Sequence, residues 1–443
     1  MNGQNPRQIA ARVLWGRKAT GEFTEKLLEP ALANSSLSTA DRRLCQELVY
    51  GIIRWQATID WLIAQKTNGR EQKSGLQNLL RLGLYQIFWL DRIPAHAAVH
   101  ETVELARRGG FGRQAGFVNA FLRSYLRESD VTRKRLAELQ ATDPALGWSH
   151  PAWLVARWQK RFGAVKTAQL LEWNNTPPTT FARMNSLKTS AGKLIEKWRE
   201  ENVEYDFFRR GWLAENLVFE LKCHPPLASL GSFRDGWFYV QDPGTLLAAT
   251  ELDPQPGETI LDLCAAPGGK TTFLAQLMNN RGKIIAGDSS EARLNLLREN
   301  CRRLGVDCAE FQRAADIVPG DATELGVARG TPSARFDRVL LDAPCSNTGV
   351  MRRRVDLRWR ITPEEICRLR GKQWDLLMQA PATLKSGGVL VYSTCSLEPE
   401  ENFGVVNEFL REHPNFKLES ERELLPFTDH VDGAYVAKLK CAD

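Results

Sequence analysis

The chain has 443 residues, enough for two or three domains that each bury a core of their own. Its 59 Lys and Arg against 53 Asp and Glu leave a net charge of only +6, so a polyanionic partner is permitted but any basic surface has to be local. Nine scattered cysteines, odd in number and without a Cys-x-x-Cys pair, argue against both a disulfide framework and a thiolate zinc site. The opening MNGQNPRQIAARVLWGRK lacks the apolar core of a signal peptide, and no run approaches the roughly 18 apolar residues of a membrane span. A protein of a reducing cytoplasm, without membrane or metal, is therefore expected.

In chain order, Leu44, Leu48, Ile52, Trp55, Ile59 and Leu62 recur at steps of three and four behind a Ser38 and Asp41 capping pattern, which predicts one amphipathic helix. GLQNLLRLGLYQIFWL, AHAAVHETVELARR and RQAGFVNAFLRSYLRE continue the helical pattern, so residues 1–135 form an all-α domain. The stretch TRKRLAELQATDPALGWSHP is charged and then turn-rich, and marks a boundary. Over 145–240, the β-rich pieces TTFARMN, ENLVFEL and GWFYV alternate with the helical SAGKLIEKWREEN, which predicts a small α+β domain. Over 241–443 the pattern becomes strand, glycine turn and helix: TILDLCA with TTFLAQLM, KIIAGD with EARLNLLRENCRRLG, then FDRVLLDAP and GGVLVYSTCS. Those are the βαβ units of a doubly wound, Rossmann-like α/β domain with a parallel sheet.

The loop CAAPGGKTT ends as a phosphate-binding loop ends, yet it does not bind a triphosphate. Such a loop needs a glycine separated by four residues from its Gly-Lys pair, where this chain has Cys264, and Pro267 has no N–H to offer a phosphate. A nucleoside cofactor approaching Gly268 and Gly269 at the end of the first strand fits better. Asp288 closes the second strand, where an acid accepts from ribose hydroxyls; its plainer use is to cap the following helix through Ser289 and Ser290. A dehydrogenase is disfavoured because Gly-x-Gly-x-x-Gly is absent.

DAPCSNTG and YSTCS both follow strands of this sheet, which brings Cys345 and Cys395 to its carboxyl edge. One cysteine there is as often packing as chemistry. Two thiols beside Asp342 suit addition to C6 of a pyrimidine, which makes the inert C5 nucleophilic toward a sulfonium methyl. Asp342 can hydrogen-bond the base edge and stabilise charge developing on it. An exocyclic-amine methyltransferase would show Asn/Asp-Pro-Pro-aromatic, and DAPC has neither the second proline nor the ring. An assembly factor with an inert site would have no use for the paired thiols.

CAAPGGKT, DAPCSNTG and STCSLEPEEN resemble the RNA cytosine-C5 methyltransferases of the RsmB (Sun, Fmu) type, which use S-adenosyl-L-methionine. ELVYGIIRW, LRLGLYQIFWLDRIPAHAAV and GFVNAFLR are similar to that family's NusB-like RNA-binding domain, and SHPAWLVARW, LLEWNNTPPTTFARMN and YVQDPG to its small RRM-like domain. The resemblance implies methylation of 16S ribosomal RNA to 5-methylcytosine. It makes Cys395 the nucleophile and Cys345 the partner in product release, whereas in DNA cytosine methyltransferases the cysteine of the Pro-Cys pair attacks; spacing alone does not separate the roles. It assigns the cofactor loop to Cys264, Ala265, Ala266, Pro267, Gly268, Gly269 and Lys270, the ribose to Asp288, and a place between cofactor and base to Asp342, oriented by Lys270. An adenine-side acid falls to Asp316 or Asp321, with Asp316 preferred because it follows the β-like run. Asn185 matches a family position of no stated role.

MRRRVDLRWR follows the Cys345 loop, and its Arg352, Arg353, Arg354, Arg358 and Arg360 suit RNA phosphates while Trp359 suits a stacked base. The target cytosine would have to leave its stack to reach a thiol. His96 and His100 stand four apart on a helix but lack the Glu of a zinc-protease motif, and are discounted as metal ligands.

Overall fold

The computed structural model describes residues 5–314 and 336–442. It divides into two compact units, Met1–Pro177 with Met351–Arg360, and Pro178–Val350 with Ile361–Asp443.

In the first unit the helices Pro6–Thr20, Thr24–Ala33, Thr39–Arg54, Gln56–Thr67, Ser74–Trp89, Ala95–Arg108 and Ala115–Arg127 close round one core that buries Ile52, Leu79, Leu84 and Leu122. Ser38 caps as expected, its Oγ accepting from Asp41 N at 3.1 Å. The single helix expected over 44–62 is instead two, broken at Trp55 (φ −101°, ψ 16°). Its stripe of apolar residues survives the break, which is why periodicity alone misses it. The groups freed there find partners: Ala57 N donates to Ser149 Oγ at 2.9 Å, while Ile53 O and Arg54 O accept from Trp359 Nε1 at 2.9 Å and Arg358 Nη1 at 2.8 Å. The helix Ala152–Asn175, interrupted at Gly163 with φ 79°, also belongs to this unit.

The second unit holds two sheets. Strands Thr180–Met184 (β1), Glu204–Phe208 (β2), Val218–Cys223 (β3) and Phe238–Val240 (β4) pair antiparallel in the order β2-β3-β1-β4, and the helix Ala191–Glu200 buries Leu194 and Trp198 in their core. The larger sheet has Thr259–Asp262 (β5), Lys283–Asp288 (β6), Ala309–Arg313 (β7), Phe336–Asp342 (β8), Leu384–Thr394 (β9), Phe416–Leu424 (β10) and Ala434–Cys441 (β11). Their order is β10-β11-β9-β8-β5-β6-β7, parallel from β9 to β7, with β10 and β11 as an antiparallel edge beyond the expected parallel strands. Chain direction across the sheet reverses between β5 and β8, so the loops after these two strands border the crevice in which such sheets bind ligands.

Buried bonds join the small sheet to the large domain. Arg183 donates to Gly269 O at 2.7 Å, Gln241 Oε1 at 2.6 Å and Thr272 Oγ1 at 2.9 Å. Asn185, of no stated role in the sequence, donates from Nδ2 to Gly236 O and Leu304 O, both at 2.8 Å. Among the described residues no helix is long and apolar enough to cross a membrane.

Candidate active site

The loop after β5 is pinned from below. Ala265 N donates to Gly287 O at 2.8 Å, Arg293 Nη2 to Ala266 O at 2.5 Å and Asn300 Nδ2 to Pro267 O at 2.9 Å. Gly268 sits at φ +106°, and a Cβ there would lie 2.6 Å from Leu297 Cδ1, so this position demands glycine. The helix Gly269–Leu277 starts directly after it.

Two acids at this edge keep oxygens available. Asp288 uses Oδ1 to accept from Ser290 N at 3.1 Å, the capping use foreseen for it. Its buried Oδ2 accepts no hydrogen bond among the described residues and has Arg293 Nη1 at 3.4 Å. Asp262 ends β5 wholly buried; Oδ2 accepts from Thr271 Oγ1 at 2.7 Å and Oδ1 has no partner among the described residues. These acceptors, Asp262 Oδ1 without a partner among the described residues and Asp288 Oδ2 with only the Arg293 ion pair, fit, with the glycine turn, a cofactor rich in donors. Asp316 and Asp321 lie outside the described residues.

Burial pushes the Asp262 carboxyl up to about 7, against the lowering effect of the Thr271 bond. Since the folded value exceeds the unfolded one, the benefit of the neutral acid is whole below about pH 4 and is lost as pH rises through 7. Asp262→Asn should therefore stabilise the ligand-free protein at pH 8 by on the order of 3 kcal/mol, with the gain in Tm shrinking toward pH 5. An equal gain at both pH values would show that Asp262 is already ionised in the fold at pH 5, so that burial does not raise its carboxyl.

Parallel strands β8 and β9 pair Asp342 with Ser393, so the loops that leave them emerge side by side. Cys345 Sγ and Cys395 Sγ lie 3.3 Å apart, and the Cys395 thiol also donates to Asn347 Oδ1 at 3.0 Å. Cys345 is buried and Cys395 partly open. The hydrogen bond with Cys395, then burial, and then the nearby charges hold Cys345 well above the ordinary thiol range. Asp342 is fixed from both sides, Oδ2 by Lys270 Nζ at 2.6 Å and Oδ1 by Ser393 Oγ at 2.8 Å. Burial opposes the Lys270 charge, yet Asp342 and then Cys395 carry it above the usual lysine value. Asn347, Ser393 and Glu401 enter the site without having been singled out from sequence. All three stand in or beside the quoted motifs, but nothing in their spacing marks a role.

The arginine run behaves otherwise than expected. Residues Met351–Arg360 belong to the first unit, and there Arg358 is fully buried and Arg352 is 2% exposed. Besides Arg54 O, Arg358 donates to Ser149 O at 3.2 Å, Asn175 Oδ1 at 2.8 Å and Asn174 O at 2.9 Å, and Arg352 stacks 3.9 Å above the Trp173 ring. These two guanidiniums complete a broken helix and its surroundings and do not offer themselves to phosphate. Trp359 is committed to Ile53 O, and Arg360 donates to Glu22 O at 2.5 Å over the Phe23 ring. Arg354 is exposed and Arg353 half-buried. Arg358→Ala should cost about 3 kcal/mol of stability by stranding buried carbonyls. Arg354→Ala should leave unfolding unchanged and lower the salt dependence of RNA binding by about one phosphate contact. Denaturant unfolding and binding titrations across salt concentrations separate the two.

Among the described residues no three His, Cys, Asp or Glu gather as metal ligands, and His96 and His100 are both exposed on the helix Ala95–Arg108.

Three family models match the chain: the NusB family over residues 4–127, an RsmF/B-like ferredoxin-like domain over 150–219, and the 16S rRNA methyltransferase RsmB/F over 249–440. A probable ribosomal RNA small subunit methyltransferase B of Synechocystis sp. is 36% identical, with 98% of this chain and 99% of that one covered. Another of that description, from Bacillus subtilis, is 34% identical over 94% of this chain and 90% of its own. Among solved structures, PH0851 is similar with TM-score 0.77 and 26% identity over 99% of both chains. A methyltransferase homologue from Pyrococcus horikoshii reaches TM-score 0.57 at 30% identity, covering 68% of this chain and 98% of its own. With near-complete coverage at this identity, the chain belongs to the RsmB/F family of 16S rRNA methyltransferases.

Proposed function

We propose that this protein methylates C5 of a cytosine in 16S ribosomal RNA, with Cys395 as nucleophile and Cys345 as the group that assists release. The observation that carries this reading is the pair of thiols 3.3 Å apart beside the Lys270–Asp342 pair at 2.6 Å. S-adenosylmethionine is the cofactor, and it supplies an electrophilic methyl group on a sulfonium. The residues that would hold it are the loop Cys264, Ala265, Ala266, Pro267, Gly268 and Gly269, together with Asp262 and Asp288.

The chain's own residues then act in order. The Cys395 sulfur bonds C6 of the cytosine while its proton passes to N3 of the base, so the C5–C6 π pair becomes available at C5. Asp342, immobilised by Lys270 and Ser393, faces the charge that develops on the base at N3 and N4. C5 takes the methyl group. A base then removes the C5 proton, a task for which Cys345 is the nearest sulfur; the C5–C6 double bond re-forms and the bond from C6 to Cys395 breaks.

Outside this centre, exposed Arg354 and the half-buried Arg353 and Arg360 are the members of the arginine run we assign to RNA contact. Functionally the chain divides into an RNA-binding part over 1–135, a small domain over 145–240 and a catalytic part over 241–443, and it works in a reducing cytoplasm where its nine free cysteines stay thiols. Bisulfite sequencing of 16S ribosomal RNA from cells with and without the gene tests the assignment. One cytosine should lose protection when the gene is absent and regain it when purified protein and cofactor are added back; an unchanged map would refute the proposed product.

A further inference from the structure

We propose that Glu401 is a positioning residue, a single carboxylate that holds the two cysteine-bearing loops in register by bonding the residue that follows each thiol. The inference rests on the reading of Cys395 and Cys345 given above. Glu401 is fully buried, where a carboxylate is rarely found unless it is well partnered. Its Oε1 accepts from Ser346 N and from Gln373 Nε2, both at 2.9 Å, and Gln373 Nε2 also donates to Pro344 O at 3.0 Å. Its Oε2 accepts from Ser396 Oγ at 2.5 Å and from Ser346 Oγ. The positions after Cys345 and Cys395 therefore hang on one side chain, and the position before Cys345 on its partner Gln373.

Counting protons shows why a carboxylate is needed. Each serine hydroxyl has one proton, and both are given to Glu401 Oε2, although the two hydroxyl oxygens lie only 3.0 Å apart. Ser396 Oγ meanwhile accepts from Glu398 N at 2.9 Å. A glutamine amide can offer one oxygen but not two, so at one edge an NH₂ would face donors already committed. Glu401 is itself held, its carbonyl accepting from Tyr392 O–H at 2.7 Å on β9. Nothing in this cluster touches the glycine loop, so its effect should fall on the thiols and leave cofactor binding alone.

The test uses the full-length protein with Glu401→Gln, the double variant Ser346→Ala with Ser396→Ala, and the Cys345→Ala and Cys395→Ala controls. Two readouts are taken: the single-turnover rate of methyl transfer to ribosomal RNA, and capture of phenylarsine oxide, which bridges two neighbouring thiols and is assigned to this pair by its loss in either cysteine control. Glu401→Gln should slow methyl transfer about 100-fold, the scale of a misplacement near 1 Å. It should also weaken arsenical capture and leave cofactor affinity within about twofold, and the double serine variant should reproduce this. Normal capture and a normal rate in either variant overturn the proposal; should Glu401→Gln not fold, the serine pair decides. If Cys395→Ala still methylates, the cysteine chemistry fails, while the arsenical readout continues to judge the positioning claim by geometry alone.

Discussion

Cys395→Ala should abolish methyl transfer, with a loss of roughly 10⁴-fold or more, the scale on which removal of a nucleophile acts. The cofactor should still bind, because the Cys395 thiol bonds Asn347 and Cys345, while Asp262 and Asp288 take their hydrogen bonds from Thr271 and Ser290. What disappears is the bond to C6 without which C5 has no electron pair to offer. The measurement is incorporation of labelled methyl into ribosomal RNA, run beside a cofactor-binding titration. Full activity in the variant would mean that the reaction runs without a Cys395 adduct.

Cys345→Ala should have a different signature: RNA bound covalently to the protein after one methyl transfer, visible as a slow-migrating species under denaturing conditions that RNase collapses. The reasoning is geometric. Cys345 Sγ lies 3.3 Å from Cys395 Sγ and is buried, which on the proposed chemistry would put it near the carbon that loses its proton before the adduct opens. Its thiol is held neutral by the hydrogen bond with Cys395 and by burial, which suits it poorly to first attack and better to a step that follows rearrangement of the pair. An adduct that accumulates in Cys395→Ala and not in Cys345→Ala would exchange the roles and bring this enzyme into line with the DNA cytosine methyltransferases.

The proposed site is legible in the sequence as a place where residues gather, because its parts sit in contiguous motifs at strand ends, and a parallel sheet places strand ends together. Cys345, Cys395 and Asp342 follow from the order of strands and turns, and Lys270 from the resemblance to the family. Their hydrogen-bond partners do not, since Ser393, Asn347 and Glu401 matter through three-dimensional contacts that no spacing encodes. The arginine run shows the opposite error. Five arginines in ten residues read as an open cationic strip, but charge patterning says nothing of burial, and Arg358 is buried because a helix broken at Trp55 leaves carbonyls that need donors. That break was hidden by a stripe of apolar residues that continues through it. The antiparallel β10 and β11 edge was not read from sequence: β10, FKLESEREL, is charged and mostly exposed, so it lacks the apolar run that marks a buried strand.

The most direct test of the central claim is to incubate the protein with S-adenosylmethionine and ribosomal RNA that carries 5-fluorocytidine, whose C5 fluorine cannot leave as a proton does. Digestion and mass spectrometry should then find a methylated fluorocytidine nucleotide joined to the peptide that contains Cys395, and its absence when Cys395 is alanine. A nucleotide on the Cys345 peptide, or methylated RNA with no protein attached, would contradict the account.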